Sequence, residues 1–168
     1  ELAAAARVAP GNASGVIDDL ITAGLVDETR AGRASLVALN RRHLSAEPLL
    51  ALASLRGRLI EHLRGLIAAN ATVVAAWLFG SVARGDAAGA SDIDVVLISD
   101  EIDSDEWHEF LTRLHSEVTR MTGNAVQIVE HSRESWAILV ANGNALVAEV
   151  RSDGIALTDH TAVTRFAT

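Results

Sequence analysis

Residues 78–99 read LFGSVARGDAAGASDIDVVLIS, and their interpretation decides the fold. An apolar run ending in Leu78-Phe79 breaks at Gly80-Ser81. The chain then passes through small residues and an Arg84-Gly85-Asp86 triplet, and re-enters an apolar run through Ser91-Asp92-Ile93-Asp94. Short apolar runs bounded by turn residues are the pattern of buried strands. Alternation along the second run puts Asp92 and Asp94 on one face and Ile93 and Val95 on the other, with the carboxylates ~7 Å apart along the chain. Two like charges so close on one strand face need a cation between them. Gly80-Ser81, a glycine turn opening a short helix, presents backbone N–H groups without partners, which is the requirement for holding a phosphate. Oxygen ligands beside a polyphosphate favour Mg²⁺, with Mn²⁺ the near equivalent.

Outward from this stretch, strand and helix alternate. Val73–Phe79 is expected as a strand, Ile93–Ser99 as its neighbour, and a helix follows from about Asp105 to Met121 with Trp107, Phe110, Leu111, Leu114, Val118 and Met121 on one stripe. "AVQIVE" is a third strand, Ser132 caps a helix running through Leu139, and "NALVAEVRSDGIAL" closes with a helix, a turn at Asp153-Gly154 and a short strand. Upstream, Pro48 to about Asn70 reads as one long amphipathic helix with Leu49, Leu52, Leu55, Leu59, Leu63, Leu66 and Ile67 on its apolar side.

The first forty or so residues keep a different rhythm. "ELAAAARV" is the end of a short helix, and a second helix carries Val16, Ile17, Leu20 and Ile21 at helical spacing until Gly24. "LVDETRAGRASLVALN" is a hairpin turning at Ala31-Gly32-Arg33. Helix, turn, helix and hairpin in this order resemble a winged helix-turn-helix, which ordinarily has one more helix in front. The unit is therefore expected to be partial, with its apolar helix face a candidate homodimer surface. In such a unit Ser14, Arg30 and Arg33 are the candidate DNA contacts, opposed by Asp18 and Asp19 on the same helix. A unit used for packing or dimerisation is the alternative.

Gly80-Ser81, an interval of ten residues holding Arg84-Gly85, then Asp92-Ile93-Asp94 together resemble the polymerase-beta-like nucleotidyltransferases. Among these the match is closest to the small minimal type, which reads Gly-Ser-x-Ala-Arg-Gly followed by Ser-Asp-Ile-Asp. The resemblance covers Trp77 to Ser99 in detail. It implies an α+β fold with a nucleotidyltransferase-type mixed sheet packed by helices over 71–168; the amphipathic pattern adds a connecting helix over 45–70, and the separate winged-helix resemblance the small N-terminal unit over 1–44. The nucleotidyltransferase resemblance implies transfer of a nucleoside monophosphate from a nucleoside triphosphate to an acceptor, with Gly80, Ser81, Arg84 and Ser91 at the nucleotide and Asp92 and Asp94 as catalytic metal ligands. Members of the family carry a third acid on a neighbouring strand. Here the position flanked by Val126 and Ile128 is Gln127, an amide that is a weak ligand and no base. Glu130, the only acid close by, points to the opposite face unless a bulge intervenes.

Composition narrows the alternatives. A formal charge of -8 opposes a surface devoted to nucleic acid, although all 14 basic residues are arginine and a local patch is possible. The absence of cysteine excludes a disulfide framework and thiolate metal sites and fits a cytoplasmic protein. No apolar run has membrane-spanning length. The histidines have no metal-ligand spacing, and Trp77, Trp107 and Trp136 fall on apolar stripes as core residues. Three readings stay open: a nucleotidyltransferase, a DNA-binding regulator whose domain senses nucleotide without reacting, and an antitoxin-type protein with a toxin-type partner.

Overall fold

The structure, a computed structural model, describes residues 2–6, 8–32, 34–87 and 91–159. Along the chain the elements are α1 (Leu2–Ala5), α2 (Pro10–Thr22), β1 (Val26–Ala31), β2 (Ala34–Leu39), α3 (Ala46–Ala53) and α4 (Leu55–Ala68). They continue with β3 (Val73–Phe79), α5 (Gly80–Arg84), β4 (Ile93–Ser99), α6 (Asp105–Thr122), β5 (Val126–His131), α7 (Arg133–Ala141), α8 (Ala145–Asp153) and β6 (Ile155–Ala156). The chain divides into two compact units, Glu1–Leu55 and Arg56–Thr168.

In the first unit α2 begins with Pro10 at its first turn, where the missing N–H has no partner to lose, and β1 and β2 form an antiparallel hairpin from Val26↔Leu39 to Ala31↔Ala34. Ile17, Leu20 and Ile21 are half-buried, Val16 is 57% exposed, and Ala46 is the one fully buried side chain of this unit among the described residues. A unit with so little buried apolar area draws little stabilisation from a core of its own.

The second unit is a mixed sheet in the order β5-β4-β3-β6, four-stranded among the described residues, with β3 antiparallel to β4 and β6, and β4 parallel to β5. Strand alternation splits its side chains cleanly. Leu78, Ile93, Val95 and Leu97 meet Leu59, Ile60, Leu63 and Ile67 of α4 and Trp107, Phe110, Leu114 and Val118 of α6. On the other face Trp77, Phe79, Val96 and Ile98 meet Trp136 of α7 and Val147 and Val150 of α8, with Trp77 and Trp136 stacked at 5.8 Å. Helices therefore cover both faces of an α+β sheet, and a polar side chain on β4 must lie beneath one helix layer or the other. The three tryptophans are core residues, as their spacing implied.

Two expectations need correction. The helix read as continuous from Pro48 to Asn70 is interrupted at Ser54, whose hydroxyl donates to the Ala51 carbonyl at 2.7 Å and competes with the helical ladder. Leu49, Leu52 and Leu55 accordingly do not extend the buried stripe of α4; all are exposed. Met121, placed on the apolar stripe of α6, is also exposed, since that helix ends one residue later.

Candidate active site

β3 ends in extended backbone at Phe79, and Gly80 then turns with φ of 70°, a left-handed conformation that side chains disfavour. Space makes the same demand. Phe79 pairs with Asp94 across the β3–β4 register, and a Cβ on Gly80 would stand 2.3 Å from Asp94 Oδ2 and 3.1 Å from its Cγ. The carboxylate of Asp94 is thus packed directly on the glycine that opens α5, and the turn and the acid form one piece. α5 ends at Gly85, also left-handed (φ 76°), whose N–H donates to the Val82 carbonyl at 3.3 Å; the Asp86 N–H donates to the Ser81 carbonyl at 3.1 Å.

Asp94 is half-buried and Asp92 exposed. Burial first, then the negative charges of Asp92 and Glu149, push the Asp94 carboxyl above its ordinary range, against a smaller opposing effect of Arg84. Ser81 is half-buried at the start of α5, and the Ser91 carbonyl accepts from Asn124 Nδ2 at 2.7 Å, which ties the entry of β4 to the turn before β5.

Gln127 is the register partner of Asp94 on the parallel strand β5 and shares its face. Glu130 pairs with Leu97, on the face of α4 and α6, and its carboxylate accepts from Trp107 Nε1. The one acid near Gln127 in sequence is therefore a partner for a buried indole on the other side of the sheet. Arg84 lies amid carboxylates: 3.3 Å from Asp86, 3.2 Å from Glu149 and 3.9 Å from Asp153, and hydrogen bonding to Asp86 is the chief cause that raises its pKa. Glu149 and Asp153 were not singled out from the sequence. Their four-residue spacing puts them on one face of α8, but only the packing of α8 against α5 brings that face to Arg84.

Outside this site, Ser14 on α2 and Arg30 on β1 are exposed, and Arg33 lies outside the described residues. His131, its pKa lowered chiefly by burial, sits against Trp136 and Ser135, and His108 bonds the Ser104 carbonyl, while His160 lies outside the described residues. Among the described residues no group of three His, Asp or Glu side chains is placed to hold a metal. The side chains that could hold one are Asp92 and Asp94, with the Gln127 amide beside Asp94 in the register. These are hard oxygen ligands, too few for an enclosed Ca²⁺ cage but suited to an ion that keeps waters and takes further oxygens from phosphate.

The local geometry makes a direct prediction. Gly80→Ala must either rotate Asp94 out of its place or open the turn. The expected result is a folded protein about 1–3 kcal/mol less stable and, where the turn holds nucleotide as the family resemblance implies, affinity for Mg²⁺ with nucleoside triphosphate weaker by about 10–100-fold, the usual loss when a ligand's support is disturbed. Calorimetric titration beside thermal denaturation checks both halves.

The chain belongs to the family whose model is described as polymerase beta, nucleotidyltransferase: that model matches residues 61–147, from α4 through the Gly80 turn, both aspartates and Gln127 into the start of α8. Solved structures with a similar chain path include a toxin-antitoxin complex with AMP-PNP (19% identity, 67% of this chain and 80% of that one, TM-score 0.44). A mutant of the toxin-antitoxin pair MntA-HpeT is similar at 18% identity, with the same coverage and a TM-score of 0.45. A nucleotidyltransferase from Sulfolobus solfataricus follows at 15% identity, 63% and 85% coverage and a TM-score of 0.37. No curated protein sequence matches the chain. No helix among the described residues is long and apolar enough to cross a membrane.

Proposed function

We propose that the nucleotidyltransferase domain transfers a nucleoside monophosphate from a nucleoside triphosphate to an acceptor and depends on Mg²⁺ or Mn²⁺. The observation that supports this reading is the packing of the Asp94 carboxylate on the left-handed Gly80 at the start of α5, an acid beside a glycine turn of the kind that can hold phosphate. Backbone N–H groups of the Gly80-Ser81 turn would hold the triphosphate, with the Ser81 hydroxyl beside them. Asp92 and Asp94 would hold the divalent ion, which when bound neutralises charge on the transferring phosphoryl group and the leaving pyrophosphate. Partial burial and the charges of Asp92 and Glu149 disfavour the ionised form of Asp94, so a cation there would be favourable. Arg84, engaged by Asp86, Glu149 and Asp153, would fix α5 against α8 as well as meet phosphate.

Gln127 beside Asp94 favours a second reading, a domain that senses nucleotide with little or no transfer. Under either reading the front unit's helix, helix and hairpin would act as a winged helix that directs the domain to a partner or to DNA.

Incubation with labelled ATP, CTP, GTP and UTP, with Mg²⁺ or Mn²⁺, against a lysate containing protein, RNA and small-molecule acceptors separates the two. Slow label transfer is the expected result. Tight metal-dependent binding without transfer selects the sensor, and absence of both overturns the nucleotide site.

A further inference from the structure

We propose that Arg56 is a positioning residue for the nucleotide turn. It stands near the start of α4, upstream of the residues that the family model matches, and its guanidinium reaches across to α5: Nε donates to the Val82 carbonyl at 2.7 Å and a terminal nitrogen to the Ala83 carbonyl. These are carbonyls of the last turn of α5, which a short helix leaves without intrahelical partners. Val82 O also takes the Gly85 N–H, so one oxygen joins the C-cap and the arginine.

A five-residue helix such as α5 has no stability of its own. Buried Val82 and Ala83 hold its apolar side to the core, and Arg84 in its last position is tied to Glu149 and Asp153 of α8, so the backbone of its last turn is held by hydrogen bonds. Its N-terminal end is the Gly80 turn against Asp94; its C-terminal end is gripped by Arg56. A planar fork of donors matches two successive carbonyls in a way that an ammonium cannot. Among the described residues no carboxylate forms an ion pair with Arg56; two of its guanidinium nitrogens bond this backbone, where a cation also complements the helix dipole. Any tilt at this end is transmitted through little more than one turn of helix to the N–H groups at Gly80 and Ser81. The inference rests on the nucleotidyltransferase reading of the site only for its consequence in binding; the anchoring of α5 is independent of it.

The experiment combines Arg56→Ala and Arg56→Lys with two readouts on the full chain. Hydrogen exchange without nucleotide is expected to show faster exchange at the Gly85 and Asp86 amides in Arg56→Ala, with Val95 to Ile98 of β4 unchanged, and an intermediate rate in Arg56→Lys. Titration with Mg²⁺ and a non-hydrolysable ATP analogue is expected to show binding weaker by about 10-fold or more in Arg56→Ala, as for other residues that orient a binding group from behind, with partial recovery in Arg56→Lys. Unchanged exchange at Gly85 and Asp86 in both variants overturns the proposal whatever binding does, as does analogue affinity equal to the parent's when those amides have loosened. Should Arg56→Ala lose protection in β4 as well, Arg56→Lys decides: loosening confined to α5 supports the anchor, and none refutes it. A parent protein that binds no analogue, with α5 loosened in the variants, leaves the anchor standing and removes the nucleotide reading instead.

Discussion

The Asp92→Asn, Asp94→Asn double variant will bind a non-hydrolysable nucleoside triphosphate with Mg²⁺ at least about 10–100-fold more weakly than the parent, since disturbing the support of a metal ligand already costs that much affinity and here both acids are lost. Amides keep the size of the carboxylates and most of their hydrogen bonding, so the sheet stays intact while the negative charge that attracts the cation disappears. Stability should move the other way. The folded chain holds the Asp94 proton more tightly than the unfolded chain, because burial and the neighbouring Asp92 and Glu149 disfavour its ionised form. Ionisation as pH rises above the ordinary aspartate range, about 4, therefore removes stability, and below that range both states are protonated and the cost vanishes. Asp94→Asn alone is accordingly expected to raise the melting temperature at pH 7, with a gain that shrinks as the pH is lowered toward 4. Mg²⁺ with the analogue should stabilise the parent and leave the double variant unmoved. Equal affinity in parent and double variant would remove the two aspartates from the site.

Gln127→Asp is expected to raise transfer by up to ~10²–10⁴-fold, the contribution of a well-placed base. The register puts residue 127 directly beside Asp94 on the same face, about 4.8 Å away across the sheet, so an acid there joins the existing pair. Without metal it adds a third like charge and should lower the melting temperature; with Mg²⁺ the order should reverse, giving a metal-dependent stabilisation larger than the parent's. That thermal readout does not depend on identifying the acceptor. If the parent transfers label briskly and Gln127→Ala does so equally, the third-acid role lies elsewhere in the domain, with Glu149 the next acid to test because its charge already reaches Asp94. If Gln127→Asp changes neither rate nor metal response, the position does not serve the metals and the sensor reading gains.

Much of this domain was legible in the linear chain because it depends on neighbours in sequence. The apolar runs Val73–Phe79 and Ile93–Ser99 define their own strands, and strand alternation alone separates Asp94 from Val95. Ser132 caps the helix that follows it, since a cap and the N–H it accepts lie two or three residues apart; Ser104 and Asn144, not read from the sequence, cap theirs by the same rule. The need for glycine at position 80 was visible as a turn, but its stricter reason, the Asp94 carboxylate lying where a Cβ would be, appears only when β3 and β4 are paired.

Tertiary structure decided what faces each of those side chains. Period-two alternation shows that Gln127 and Glu130 point to opposite faces of β5 and is silent on what covers either face. The parallel register with β4 gives Gln127 to Asp94, and the packing of α6 gives Glu130 to the indole of Trp107. The sequence offered Arg84 to the nucleotide, and the packing of α8 also brings Glu149 and Asp153 to it; nothing in the sequence singled out Arg56, which α5 meets with two carbonyls. The amphipathic pattern also ran on through Leu49, Leu52 and Leu55, which are exposed, because periodicity marks an apolar stripe while burial requires a partner at that place. Sequence alone determined the strands, the caps, the acid pair and the glycine turn, all products of short-range sterics and hydrogen bonding. The pairing of charges and the anchoring of α5 were decided by which elements pack together, a long-range outcome of burying both faces of one sheet.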